Sequence, residues 1–240
     1  NVQGKLLWEP TDRLSLMLSG SHVERDNTCC VPDATQGDAA QAEMARQGLP
    51  LDKNDPEDYK VGTNLDSEFT LESDMLSLHI DYDMDWGTIT SITAWSDHEY
   101  TQGSDPDRGQ LDILGGPSEF FAGDSLSQDL RLDSQLGDNI DYQLGLFYYE
   151  QKTQRGDGSR TFTIGEDFLT INPAFAPIAQ PGDYLFGKGV WNKDTYAIFG
   201  QATSHIGMRG HQTGGLRWKD EEREDDLFSY NGYTGFALYP

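Results

Sequence analysis

One pattern limits what this chain can fold into: segments of period-two alternation, joined by turns that are alternately short and long. The clearest segment is Asp141–Thr153. Its even positions are Tyr142, Leu144, Leu146 and Tyr148; its odd positions are Asp141, Gln143, Gly145, Phe147 and Tyr149. Strict alternation predicts a strand lying between two unlike environments. The segment before it, Asp124–Gln135, sets Leu126, Leu130 and Leu132 against Ser127, Asp129 and Arg131. Only Gln135–Ile140 separates the two, which predicts a hairpin. A soluble sandwich would explain either strand alone, so the weight falls on how often the pattern recurs.

It recurs along the chain. Val2–Trp8 places Val2, Leu6 and Trp8 on one face, and Glu9-Pro10-Thr11-Asp12 reads as a tight turn with Pro where its fixed φ fits. Arg13–Val23 carries Leu14, Leu16 and Leu18, and Glu68–Asp83 carries Leu76, Leu78, Ile80 and Tyr82. Thr88–Tyr100 is rich in β-formers but has no clear apolar face: Ile89 and Trp95 share one parity, Ile92 and Ala94 the other. Asp194–His205 aligns Tyr196, Ile198, Gly200 and Ala202, and His211–Glu224 aligns Leu216 and Trp218. Residues 225–240 read as an acidic, aromatic loop or the start of a ninth strand. The pattern predicts eight strands in four hairpins. The connections within hairpins are short, and those between them, 24–66, 101–123 and 154–193, are long. A helix is expected only at Asp38–Gln47.

Compact soluble domains connect their elements by about 4–6 residues. Alternating short and long connections are instead the habit of outer-membrane barrels, with short periplasmic turns and long external loops. The expected fold is therefore all-β, an antiparallel transmembrane β-barrel segment with short periplasmic turns and long extracellular loops, and residues 1–240 form part of one barrel domain. Trp8, Tyr82, Trp86 and Tyr142 cluster near the short turns, where an interfacial aromatic girdle belongs. Both ends of the chain fall on the long-loop side, which suggests a piece of a larger barrel.

Composition agrees. Hydrophobic residues make up 36% of the 240 and mean hydropathy is -0.64. A transmembrane strand needs only about 10 residues, half of them facing water, so this composition permits a membrane protein. The 41 acidic against 17 basic residues give a net charge of -24. Nucleic acid is excluded as a partner, because binding it requires basic patches.

The runs SQDLRLDSQLGDNIDYQLGLFYYEQ and SITAWSDHEY, the pair DTYAIFGQATSHI with TGGLRWKDEERE, and the hairpin KLLWEPTDRLSLMLSGSH resemble the barrel of proteobacterial TonB-dependent outer-membrane receptors. The motifs occur in the family's order and span nearly all strand segments, while the long loops take no part. The resemblance implies a 22-stranded barrel with an N-terminal plug in the bacterial outer membrane, importing a scarce ligand, first of all a ferric siderophore. It also implies outer-membrane lipid and lipopolysaccharide around the barrel, and the TonB complex as energising partner through a plug segment not found in this sequence. A passive porin-like barrel and a soluble secreted β-protein binding carbohydrate are the alternatives.

The chemistry is sparse. Aromatics at the loop bases, Tyr100, Phe120, Phe121, Tyr184, Phe186 and Trp191, offer stacking surface for a ligand or simply pack the loops. Arg131, Arg217 and Lys219 are expected on the water-facing sides of strands, where they attract an anionic ligand or, in a lumen expected to be acidic, form ion pairs. Cys29-Cys30 reads as a disulfide candidate in an oxidising compartment, with a metal site or remote partners as alternatives. The run Asp220–Asp226 reads as a solvated strand tip or a cation site. Asp105 and Asp107 flank Pro106, and their spacing alone argues no function. No metal site, cofactor or enzymatic constellation emerges.

Overall fold

Period-two alternation in one segment after another does produce one antiparallel sheet. The structure, a computed structural model, describes residues 1–28, 36–50, 62–116, 118–156, 159–206 and 210–232. Ten strands form in chain order: β1 (Val2–Thr11), β2 (Leu14–Asn27), β3 (Glu68–Met84), β4 (Gly87–Gly103), β5 (Leu114–Gly115), β6 (Ser118–Leu136), β7 (Ile140–Arg155), β8 (Arg160–Ile164), β9 (Tyr184–Ile206) and β10 (Gly210–Gly232). The eight long strands pair as four hairpins laid side by side, β1-β2-β3-β4-β6-β7-β9-β10, with every neighbour antiparallel. Among the described residues β1 pairs only with β2 and β10 only with β9, so this wall is an open arc.

The strands are longer than the alternation predicts. Residues 101–103 and 118–123 extend β4 and β6, and β9 begins at Tyr184 rather than Asp194. β10 continues to Gly232 without a break, so 225–232 belong to the eighth long strand and not to a ninth. Polar and acidic residues occupy these extensions; they continue the backbone ladder but carry no apolar signal. β1 also runs through Pro10 to Thr11, with the register shift between Trp8 and Thr11 and the turn at Asp12–Arg13. A proline at a register irregularity removes no ladder bond. The third short turn is made by 137–139, with Gly137 at φ 61, a conformation glycine adopts without cost.

The register decides which residues share a face. Leu18 pairs with Leu78, Leu78 with Thr93, Thr93 with Gln128, Gln128 with Tyr148 and Tyr148 with Tyr196. Counting in twos from this row, Leu14, Leu16, Leu18, Leu76, Leu78, Leu144, Leu146 and Leu216 all lie on one side of the sheet, here the leucine face. The ambiguity in β4 is resolved by its neighbours: Ile89 sits between Tyr82 and Leu132, and Trp95 between Leu76 and Leu126. Ile92 and Ala94 point to the opposite, polar face.

Among the described residues nothing covers the leucine face. Leu144 and Leu146 each keep 51% of their surface exposed and Leu216 keeps 87%. Among the described residues the buried hydrophobics are only Ala40, Met44, Leu111 and Ala197. A water-soluble sandwich would bury the leucine row under a second layer, since this burial is what offsets the entropy of folding. The uncovered row is what a lipid-facing surface requires.

Aromatics bound the apolar band on both sides. Tyr82, Trp86 and Tyr142 stand toward the short turns. Trp95, Tyr148, Tyr196 and Trp218 stand toward the long loops, with the Tyr148 and Tyr196 ring centroids 5.0 Å apart. This second girdle runs obliquely. Followed across Leu126, Glu150 and Asp194, the residue in register with Trp95 on β10 is Glu222, yet the girdle residue is Trp218, four residues nearer the short turns and four strands away. One residue of rise per strand, at about 3.3 Å rise and about 4.8 Å spacing, is a tilt of roughly 35°, within the range of transmembrane barrels.

The connections on the long-loop side pack on one another. The helix α1 (Asp38–Gln47) lies where the sequence places it, and Gly48 ends it in the left-handed conformation, with Leu49 N–H donating to Met44 C=O at 2.9 Å. Ala40 and Met44 of α1 bury against Leu111, joined by Leu49, Ile113 and Ile171 of the short helix α2 (Phe168–Ile171). Residues from all three long connections meet in this small core.

The face assignment predicts an asymmetric response. Leu144→Arg costs about 2–4 kcal/mol of folding stability in bilayers, as for a cation at a barrel's lipid face. Gln143→Arg, on the polar face, leaves stability nearly unchanged. Denaturant titration in lipid vesicles measures both, and equal costs contradict the assignment.

Candidate ligand-facing site

Charge is sorted between the two faces. On the leucine face, beyond the upper girdle, lie Glu24, Glu72, Asp74, Asp97, Glu99, Asp124, Glu150 and Asp194, and alternate residues of β10, Asp220, Glu222, Glu224 and Asp226. Lys152 and Lys188 are the basic residues of the long strands on that side. Lys5, Arg25, Arg131, Arg155, Lys193, Arg217, Lys219 and Arg223 all have the parity of the polar face. The expectation of an acidic interior is therefore corrected. The acids of the long strands form a belt on the outer side of the wall, and the polar face is mixed. The run Asp220–Asp226 is mid-strand rather than a solvated tip, and its one-residue alternation sends Glu221 inward, where it pairs with Lys219 and Arg223 and, at 3.5 Å, with Lys193.

The polar face carries cations seated on aromatic rings. Arg217 lies 5.9 Å from the centroid of Phe147 and 6.0 Å from that of Phe199. Phe199 leans across Gly145, where a Cβ would stand 2.0 Å from the ring, so the ring occupies the space that only glycine leaves there. Arg131 is held by Asp129 through Nε at 2.7 Å and Nη2 at 2.8 Å. Pairing of this kind is what the sequence suggests for Arg131. Arg217 is instead held by rings.

Nearer the long loops the same face carries an aromatic ledge. Tyr100 of β4 stacks on Phe121 of β6 at 5.0 Å and 17°, Phe69 of β3 approaches Tyr100 at 6.1 Å, and Arg155 of β7 reaches over Phe121 at 6.0 Å. Arg155 also donates to Glu119 at 2.5 Å. Registered pairing of Tyr100 with Phe121 and of Phe121 with Arg155 puts these groups side by side on adjacent strands.

Of the residues singled out from the sequence, Tyr100, Phe121, Arg131, Trp191 and Arg217 lie on the polar face. Phe120 and Phe186 take the other parity. Phe120 lies against Gly156, and Tyr184 receives the Arg160 guanidinium at 4.9 Å within the loop layer. For Phe120 and Tyr184 these contacts are the loop packing that the sequence leaves open beside ligand stacking. Cys29 and Cys30 lie outside the described residues. Sequence reasoning missed Phe69, Phe147, Arg155 and Phe199; the odd parity of Phe147 beside Gly145 was a readable sign, whereas Arg155 lies in a segment read as loop and Phe69 on the face of its strand opposite the leucines.

Above the ledge the loops are stitched together. Gln47 donates to Asp167 at 2.7 Å, Asp112 N–H to Asp167 at 3.0 Å and Glu166 N–H to Asp112 at 3.1 Å. Leu114-Gly115 (β5) pairs with Thr163-Ile164 of β8. Within this layer Asp105 is buried and Asp107 half-buried. Burial pushes both carboxyls up, Asp107 to about 6, with the Asp105 charge adding to the effect.

No family model and no curated protein matches this sequence. Solved structures do. The ferric yersiniabactin uptake receptor FyuA from Yersinia pestis superposes with a TM-score of 0.62 at 18% identity, over 96% of this chain and 32% of its own. The siderophore receptor PiuA from Acinetobacter baumannii gives 0.47 at 10% identity, over 94% of this chain and 39% of its own. The chain thus spans about a third of the length of FyuA.

The Asp107 carboxyl generates a pH prediction. Its folded value lies above its ordinary one, so without divalent cations the fold is favoured while both states are protonated. It loses stability as pH rises from about 4 through about 6. Hydrogen exchange at the Gly109 and Leu114 amides, which donate to Asp107, accelerates over that window beyond the intrinsic pH effect, and Asp107→Asn flattens the response. Protection that grows with pH in metal-free buffer contradicts this.

The tilted, girdled, single-layer wall and its superposition on FyuA show the fold: this chain forms an arc of an antiparallel β-barrel similar to that of the ferric yersiniabactin uptake receptor.

Proposed function

We propose that the parent protein is an outer-membrane receptor that imports a scarce ligand, a ferric siderophore in the first place, with energy from the TonB complex delivered through a plug domain. The observation that carries this reading is the polar face. A Tyr100–Phe121 stack with Arg155 beside it stands beneath a layer built from three interlocked loops. Flat rings stack on the planar chelating groups of a siderophore, and guanidinium groups meet its anionic oxygens. A passive porin has no need of a loop layer resting on an aromatic ledge. The likeness to FyuA, a ferric yersiniabactin uptake receptor, supports the same choice of cargo.

The remaining partners follow from the other face. The leucine band suits lipid hydrocarbon, and the girdles suit its two interfaces. The open arc needs further strands on both edges, because unpaired backbone groups are not tolerated in hydrocarbon. The acidic belt outside the upper girdle stands where lipopolysaccharide phosphates lie; two anionic surfaces meet there only through bridging cations.

The test is cargo uptake by cells carrying the full-length gene, with the proton-motive force intact and collapsed. Uptake stops on collapse, and Tyr100→Ala with Phe121→Ala weakens cargo binding about tenfold, the worth of one to two aromatic contacts. Uptake that continues unchanged after collapse identifies a passive channel.

A further inference from the structure

The loop layer holds an arrangement that the transport reading does not use. In Asp105-Pro106-Asp107-Arg108-Gly109 two carboxylates are folded back on one another. Asp105 is 5% exposed. Its Oδ1 accepts the Arg108 N–H at 3.1 Å, and its Oδ2, fully buried, meets no N–H donor among the described residues and has only the Asp107 carboxyl beside it. Asp107 uses both oxygens, accepting Gly109 N–H at 3.1 Å and Leu114 N–H at 2.7 Å. The two carboxyls lie within interacting distance of each other. No lysine, arginine or histidine forms an ion pair with either among the described residues. Arg108, the nearest cation in sequence, is exposed and sits at φ 56, a left-handed conformation costly for a residue with a side chain.

Backbone in this unfavourable conformation is held by contacts from another loop. Gln36 donates its amide to Asp107 C=O at 3.0 Å and to Arg108 C=O at 3.2 Å, and Gly109 packs so closely on Gln36 that a Cβ would stand 2.8 Å from its Nε2. The structure thus buries an unpartnered carboxylate oxygen beside a second carboxylate and spends strain and loop contacts to do so. Removing one partner from a buried polar group costs its full desolvation, and two adjacent carboxylates cannot both stay ionised there without a counter-charge. A hard divalent cation supplies that charge and takes oxygen ligands at flexible geometry, with water completing the shell.

We propose that Asp105 and Asp107 hold a divalent cation of the calcium class, which locks the first and second long loops into one layer above the polar face. The inference rests on the buried oxygen and the loop geometry, and it stands whichever cargo the receptor takes. The cation and a proton compete for the pair. This is consistent with the raised Asp107 carboxyl and leaves the cation preferred near neutral pH.

The experiment is limited trypsin digestion of the full receptor in detergent at pH 7.5, following the Arg108–Gly109 bond with calcium or with a chelator. With calcium at about ten times its dissociation constant, cleavage of wild type slows about tenfold, the factor by which a bound ligand depopulates the open state. Asp105→Asn, nearly isosteric, loses the protection. A control carrying His22→Ala and Asp74→Asn, which dismantles the His22, Glu72 and Asp74 group on the strand surface, keeps it. Equal cleavage of wild type with calcium and chelator overturns the proposal and leaves a shared proton as the counter-charge. So does full calcium protection in Asp105→Asn, or its loss in the control. Should Asp105→Asn fail to fold, calorimetric titration of wild type with calcium decides alone, since loss of saturable binding at pH 5 supports the pair and pH-independent binding refutes it.

Discussion

The rest of the structure depends on an unbroken backbone ladder. Each inner strand of the wall gives its hydrogen bonds to two neighbours, and hydrocarbon offers no other partner for them. Once the ladder is continuous, side chains follow with period two, and a shift of one residue in any pair would exchange the two faces from there onward. From Leu18 to Tyr196 the register keeps one set of residues together. The uncovered leucines, the oblique girdles and the sorting of charge are consequences of that single constraint.

Charge sorting changes how the composition is understood. A net charge of -24 reads as an acidic molecule throughout. In the fold, most strand acids lie on the outer side beyond the upper girdle, and the basic residues turn inward. The inner surface therefore carries both signs of charge, its bases set among carboxylates such as Asp129, Glu119 and Glu221. Arg217 held between Phe147 and Phe199, and Arg155 over Phe121, keep cationic groups on a surface also lined with rings. Rings restrict the motion of the Arg217 guanidinium without neutralising it, whereas Arg155 is also paired with Glu119. Arg131, tied to Asp129 by two bonds, contributes rigidity instead.

The loops behave as a second small structure set on the wall. Their core is slight, Ala40, Met44 and Leu111 with a few neighbours, and much of their cohesion comes from carboxylates accepting backbone N–H groups across connections. A layer held this way opens at modest cost and responds to whatever neutralises its carboxylates.

The hairpins, the helix at Asp38–Gln47 and the common face of the leucines were legible in the amino-acid order, because apolar residues in alternation and a glycine after a helical run are local signals. Strand length was not legible, because extensions such as 184–193 carry no apolar alternation and are held only by pairing with neighbours. The face of β4 was undecided locally, with Ile89 and Trp95 set against Ile92 and Ala94, and the register with β3 and β6 settled it. The spacing of Asp105 and Asp107 is ordinary for so acidic a chain; only the packing of loops distant in sequence removes them from water. Local order thus determined where strands run and which residues alternate. Tertiary structure decided which carboxylates, cations and rings share a neighbourhood, since desolvation and cross-strand contact exist only once the chain has been brought together.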